Sequence, residues 1–378
     1  MLFRSVRSAQ EHPRLLALDL PTGLNADTGE VDFSAVPCDV TFALAYPKVG
    51  LLNFPGAEHA GELRVLDIGV PPGLKEESEI QLELLEGSWV AEHLPKRPLD
   101  SHKGTFGHVL VVAGSRNYVG AAYLASQASV RAGAGLTTLA TPECVYPIAA
   151  AKSTEPIHLP LPDDDEGRVS AQAAQVLHDE SRRFTNIVVG CGLGLSDGTV
   201  RFVEELLFSQ ESSGLTELPV LVDADGLNNL VRIKDWPERR RGPMTLTPHP
   251  GEMATLTGLS TLEVQADRAA VAREYAARWN VVLVLKGANT VIAQPDGTVR
   301  VAAFANPGMA SGGTGDILSG IIGGLMAQGL APAVAASCGV YLHGEAGREI
   351  VSRLGNTGLA ASDLLPEIPV AIRRLRKI

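Results

Sequence analysis

Cysteine is scarce, with four in 378 residues (Cys38, Cys144, Cys191 and Cys338) lying far apart and no C-x-x-C pair among them. That excludes a disulfide framework and a cysteine-based zinc site, and it fits a reducing compartment such as the cytoplasm. No apolar core follows the basic start MLFRSVRSAQ, and the run Leu15 to Leu20 is too short and carries an acid, so no export signal is expected. An uninterrupted membrane-length run is also missing. The apolar stretch from Ile317 to Leu342 is broken by glycines, Gln328 and Pro332, which predicts two buried helices. Positive charge is in deficit: the formal net charge is -11, and the only basic clusters are Arg239 to Arg241 and the tail from Arg373 to Lys377, which is expected to be a solvated helix end. Such a chain repels a phosphate backbone, so nucleic acid is excluded as a partner.

What is present is the composition of a globular protein, 45% hydrophobic and 20% charged, with 39 glycines and 24 prolines that call for many tight turns. The length favours two domains over a single large α/β domain. Three strand-like runs open the chain: Leu15 to Leu20, Asp39 to Tyr46 and Gly61 to Val70. Hardly any helical sequence lies among them to cover a parallel sheet, apart from a short amphipathic piece before Pro13, so this first unit looks incomplete. An acidic and then proline-flanked segment follows, from Pro71 to Leu99, and the boundary is placed near Lys75, giving units 1–75 and 76–378. After His102, strands and helices alternate through GHVLVVAGS, AAYLASQASVRAG, LTTLATP, NIVVGCGLG, PVLVDADG and VVLVLKG, each apolar run stopping at glycine or proline. That rhythm predicts an α/β fold, a mainly parallel sheet with crossover helices.

Four segments have the residue types for chemistry. In NPGMASGGTGDILSG, from Asn306, the glycines Gly312, Gly313 and Gly315, with Thr314, crowd a turn at which an apolar-periodic helix begins by Asp316. Helix-start amides are unpaired, and glycine lets them approach phosphate oxygens closely. A carboxylate at that place can take a proton from a hydroxyl beside the phosphate, although an aspartate there is also an ordinary N-cap. In VVLVLKGANT a buried strand ends at Lys286, on the carboxyl edge where open α/β sheets bind ligands, and Gly287, Ala288, Asn289 and Thr290 offer amides and a hydroxyl to a nucleotide. In TPHPGE, His249 is held between two prolines, and Glu252 is either a carboxylate for a magnesium water or a helix-start acid favoured by the dipole. Around Gly120 and Ala121 small residues begin a helix; they admit a bulky ligand, and packing against the sheet explains them equally.

Taken together, HKGTFGHVLVVAGS, VVGCGLG, TPHPGE, VLKGANT and SGGTGDILSG stand in the order found in the ADP-dependent NAD(P)H-hydrate dehydratase family of the ribokinase-like superfamily, and the chain from about Leu82 to Ile378 resembles that family. The resemblance implies a ribokinase-like α/β/α sandwich, the (6S) hydrate of NADH or NADPH as substrate, ADP as phosphoryl donor with Mg2+, and a homo-oligomer. It implies that Lys286 to Thr290 and Gly315 contact the adenine nucleotide, that Ala121, Gly194, His249 and Asp316 contact the hydrate, and that Asp316 is the catalytic base. One departure is Cys191, in GCGLG where the family usually has GPGLG. The opening segments LALDLPTGLNADTGEV and ALAYPKVGLL resemble the C-terminal part of an NAD(P)H-hydrate epimerase domain, a partial Rossmann-like unit, in which Asp19 would touch the hydrate and Thr22 would help hold K+. That family's Asn- and Gly-rich loop is not in this sequence, so little or no epimerase activity is expected. A kinase of the same fold, phosphorylating a thiazole or pyrimidine alcohol with ATP, and a non-catalytic nucleotide-binding module are the competing readings.

Overall fold

Parallel strands covered on both faces must be apolar throughout, and HVLVV at His108–Val112 is buried at every position. The computed structural model describes residues 13–71, 73–75, 77, 80–209 and 214–376. The chain divides into two units, Met1–Leu84 and Leu85–Ile378, so the division comes after the acidic stretch near Lys75 and not at its start.

In the first unit β1 (Leu16–Leu18), β2 (Val40–Leu44) and β3 (Glu62–Leu66) lie side by side in chain order, all parallel, with Leu16 opposite Val40 and Val40 opposite Glu62. All three are shorter than the runs that predict them. β1 stops because Asp19 turns to a positive φ of 67°. Leu24, Ala43, Leu51 and Ala60 form a small core, while Leu16 and Leu18 are exposed. The amphipathic piece expected to cover this sheet lies outside the described residues.

The second unit holds β4 (His108–Val112), β5 (Leu136–Pro142), β6 (Ile157–Leu161), β7 (Asn186–Val189), β8 (Val220–Val222), β9 (Met244–Leu246), β10 (Val282–Leu285), β11 (Thr290–Ala293) and β12 (Val299–Ala302). Their spatial order is β12-β11-β10-β9-β8-β7-β4-β5-β6. From β10 to β6 every pairing is parallel, and β10, β11 and β12 pair antiparallel. The chain runs outward from β4 in one direction and from β7 in the other. A crevice therefore opens beyond the carboxyl ends of these two strands, the place where doubly wound sheets bind ligands.

The elements that reach this crevice are helices α1 (Val119–Arg131), α2 (Asp225–Leu230), α3 (Pro250–Thr257), α4 (Arg268–Trp279), α5 (Thr314–Ala327) and α6 (Pro332–Leu354). α5 and α6 are the two buried helices expected between Ile317 and Leu342. α1 and α5 pack almost backbone to backbone: a Cβ on Gly320 would lie 2.2 Å from the Ala125 carbonyl oxygen, and one on Gly324 would lie 2.6 Å from that of Ser129. Glycine at these two positions sets the approach that brings the start of α5 to the crevice. No helix among the described residues is long and apolar enough to cross a membrane.

Candidate active site

Four strand or helix ends meet at the crevice. Lys286 follows β10, Asp223 follows β8, Cys191 sits on the turn after β7, and Asp316 lies in the first turn of α5. Lys286 Nζ is 2.6 Å from Asp223 Oδ1 and 3.7 Å from Glu252 Oε2. The second Asp223 oxygen accepts the Ser319 hydroxyl at 2.7 Å, and the Asp223 side chain is 1% exposed. Burial by itself would lower the proton affinity of Lys286. Attraction by Asp223 and then Glu252 outweighs it, and the ammonium is held above its ordinary value.

Asp316 is raised to about 6, first by burial and then by repulsion from Asp223, with Cys191 and Lys286 pulling the other way. A carboxylate in that range is mostly ionised at neutral pH and still basic enough to accept a proton usefully. Ligand atoms of Cys191, Asp223 and Asp316 lie within 4.8 Å of one another. Burial, then the negative charge of Asp316 and Asp223, pushes the Cys191 thiol well above its ordinary value, so it sits there protonated. A protonated thiol beside a carboxylate already bonded to Lys286 and Ser319 is a poor donor set for Mg2+, which wants free oxygen ligands.

The glycine turn takes its shape from Gly313, the N-cap of α5, at φ 93°. A side chain there would meet Leu124 Cδ1 at 2.6 Å. The amides of Thr314, Gly315 and Asp316, in the first turn, have no partner within the helix. Gly312 faces open space, and a Cβ on Gly315 would stand 3.5 Å from Lys286 Nζ. The Thr314 hydroxyl turns back into the loop, donating to the carbonyls of Met309 (3.1 Å) and Ser311 (3.0 Å). His343 on α6 fixes the same turn: burial lowers it to about 4, so the ring is neutral, and its Nε2–H donates to the Thr314 carbonyl at 2.9 Å.

Other expected residues border the same crevice. Lys286 N donates to the Pro248 carbonyl at 2.9 Å, which brings the Lys286–Thr290 turn beside His249. His249 caps α3, its Nδ1 accepting from the amides of Gly251 (3.0 Å) and Glu252 (3.2 Å), while Glu252 Oε2 accepts from the His249 amide at 2.8 Å. The histidine ring is exposed and its Nε2 lies 3.6 Å from Glu252 Oε1. Glu252 thus pairs with Lys286 and caps a helix, which leaves it only one oxygen for a magnesium water. Gly194 N donates to Asp225 Oδ2 at 2.8 Å, and Asn229 Nδ2 donates to the Gly194 carbonyl at 3.0 Å. Ala121 lies against the turn at Gly192, where an added Cβ would come within 2.9 Å of the alanine methyl.

Asp19 and Thr22 belong to the first unit. The Asp19 carboxylate is bound by the Lys48 ammonium and accepts the Leu44 amide at 3.1 Å; the bond from Lys48, then that from Leu44, hold it below the usual carboxylate range. Thr22 is exposed. Lys48 therefore occupies the carboxylate that is expected to touch the hydrate.

Sequence reasoning passes over Asp223, Asp225, Ser319 and His343. A signal exists for the first two, since PVLVDADG has an apolar strand stopping at an acid just as VVLVLKG stops at a lysine. For Ser319 and His343, each within a helix, there is none.

Residues 109–370 match the family model described as NAD(P)H-hydrate dehydratase, and residues 2–50 match that of the YjeF-related protein N-terminus. The chain is 43% identical over 366 residues to the bifunctional NAD(P)H-hydrate repair enzyme Nnr of Moorella thermoacetica, covering 97% of this chain and 68% of that protein. It is 34% identical to the enzyme of the same name from Escherichia coli K12, over 94% of this chain and 65% of that protein. Among solved structures it is similar to the ADP/ATP-dependent NAD(P)H-hydrate dehydratase of Bacillus subtilis co-crystallized with ATP/Mg2+, with TM-score 0.67, 31% identity, and coverage of 78% of this chain and 99% of that one. A ribokinase-like superfamily protein from Enterococcus faecalis shares the fold, with TM-score 0.67 at 24% identity over 82% of this chain and 100% of that one.

Proposed function

The chain belongs to the NAD(P)H-hydrate dehydratase family, and from that premise we propose that it returns the (6S) hydrate of NADH or NADPH to the reduced nucleotide, consuming ADP and releasing AMP and phosphate. The observation that carries this reading is the juxtaposition, at one sheet edge, of a carboxylate raised to about 6 with a glycine-rich helix start and a buried lysine.

Hydroxide is a poor leaving group and phosphate a good one, and the residues are arranged for that exchange. In our assignment Asp316 takes the proton of the ring hydroxyl as its oxygen attacks the β-phosphorus of ADP, and AMP departs. The amides of the Gly312 to Gly315 turn face the developing phosphoryl charge, a kind of donor worth about 3 kcal/mol each in other enzymes. Lys286 and the Gly287–Thr290 turn hold the nucleotide, while Ala121, Gly194 and His249 border the hydrate. The ring nitrogen then pushes phosphate off the carbon, and loss of a proton from the neighbouring carbon restores the double bond. Mg2+ accompanies ATP in the Bacillus subtilis structure and, when bound here with the nucleotide, would supply charge neutralisation; Glu252 is the one carboxylate we assign near it. No disulfide joins the four cysteines, which supports a reducing compartment, and we place the protein in the cytoplasm.

We assign little epimerase activity to the first unit, because the Asp19 carboxylate that would touch the hydrate is held by Lys48. Incubating the purified protein with (6S) hydrate and ADP, and following the return of reduced nicotinamide absorbance, tests the main reading; no return with either ADP or ATP refutes it. Rapid interconversion of the R and S hydrates would refute the second.

A further inference from the structure

Between Leu285 and Thr290 every carbonyl from residue 285 to 289 has a side-chain donor, and four of the five share one. Arg268, the first residue of α4, donates from Nη2 to the carbonyls of Leu285 (2.8 Å) and Lys286 (3.1 Å), and from Nη1 to those of Ala288 (2.5 Å) and Asn289 (3.3 Å). The remaining carbonyl, of Gly287, accepts the Thr290 hydroxyl at 2.8 Å. Of the amides, Lys286 N donates to Pro248 and Asn289 N to Phe304, each at 2.9 Å. None of the described hydrogen bonds uses the amide of Gly287 or Ala288.

The turn is shaped to the guanidinium. Gly287 has φ 145°, and a Cβ on it would come within 3.0 Å of Arg268 Nη2; Asn289 sits at φ 54°. Burial pulls Arg268 down to about 10, with no carboxylate acting on it, so it stays charged at neutral pH. A backbone turn normally has its own carbonyls and amides paired with each other or with water. Here a fork of fixed geometry collects the carbonyls on one side, an arrangement that a lysine, a point charge, cannot reproduce.

We propose that Arg268 is a positioning residue for the nucleotide: by gathering the carbonyls of Leu285, Lys286, Ala288 and Asn289 it holds the Gly287 and Ala288 amides ready for the diphosphate of ADP. It also lends the turn a positive charge that no carboxylate among the described residues pairs with. The proposal rests on the reading of this turn as the nucleotide site. Arg268 touches neither the reacting phosphorus nor the hydrate; it acts through the backbone of the turn.

The test is calorimetric titration of ADP into the wild-type protein, Arg268→Lys and Arg268→Met, together with steady-state kinetics and melting temperatures. Arg268→Met is expected to weaken ADP binding by about tenfold or more, and Arg268→Lys by less, because charge returns without the fork. KM for the hydrate, and kcat at saturating ADP, should change by far smaller factors than the ADP dissociation constant. Should Arg268→Met not fold, the lysine variant decides. Unchanged ADP affinity in a folded variant overturns the role of Arg268 alone, as does a loss of hydrate affinity equal to the loss of ADP affinity, which a merely structural residue would give. Wild-type protein that takes up no ADP overturns the reading of the site itself.

Discussion

Lys286 and Asp223 close a buried ion pair, Nζ to Oδ1 at 2.6 Å, from the ends of two strands that β9 separates. It joins the expected nucleotide turn to the proposed base, because Asp223 is also the charge that, after burial, raises Asp316.

Removing the cation alone strands the Asp223 carboxylate in the interior. Lys286→Ala is expected to cost about 3 to 5 kcal/mol of stability by denaturant titration, whereas Asp223→Asn combined with Lys286→Met should recover much of that loss without recovering ADP affinity. A single variant as stable as wild type would show the pair to be dispensable.

The base we propose, Asp316, must be ionised to act. With Asp316 at about 6, kcat/KM is expected to be level above neutral pH and to fall about tenfold per pH unit well below 6. A profile still flat at pH 5, with the protein folded, would remove Asp316 from that role.

The same raised carboxyl opposes folding. A group whose folded value lies above its unfolded one contributes stability that is complete below the unfolded value and is lost as pH rises through the folded one. The relevant window runs from 3.8 to about 6. Asp316→Asn should therefore stabilise the protein at pH 8 by up to about 3 kcal/mol and by much less at pH 4, while turnover drops by a factor on the order of 100 or more and ADP binding persists. Thermal melts at the two pH values read the first effect. Equal shifts at both would contradict the assignment.

Cys191 supplies a thiol that holds Asp316 down against burial and Asp223. Cys191→Ala is expected to move the acid limb of kcat/KM to higher pH, and Cys191→Ser, which keeps a donor, to move it less. A limb that stays in place in the alanine variant would leave the thiol a packing role only.

At Gly313 the backbone, at φ 93°, strains any side chain, and an added methyl would also displace the Leu124 Cδ1 that stands 2.6 Å away. Gly313→Ala should cost about 1 to 3 kcal/mol and raise KM for the phosphoryl donor, measurable by melting and initial rates. A neutral substitution would mean that the turn is not held as described.

Much of the second unit was legible along the chain, because its strands are short apolar runs ended by glycine or proline: LTTLATP forms β5 over its whole length, and NIVV forms β7. β6 was missed because IHLPL contains a proline and a histidine, which weaken the strand signal. The β11–β12 hairpin has its own signal in the Asp296–Gly297 turn between the two strands, but β11 starts at Thr290, directly after the turn read as a ligand loop. His249 is expected to face the hydrate; that its Nδ1 also caps α3 while the ring stays exposed depends on a backbone direction that no residue pattern records.

By itself the sequence determined the chemistry available at each strand end: glycines where backbone must approach, an aspartate at the mouth of a helix, a lysine and an amide-bearing turn after a buried strand. Those are local properties of short segments. Only the tertiary structure decided that Lys286 meets an aspartate 63 residues away, that Arg268 reaches back to four carbonyls of one turn, and that Asp316 is raised to about 6. Proton affinity and charge pairing depend on burial and on distance through space, and both arise when the sheet brings remote strand ends together.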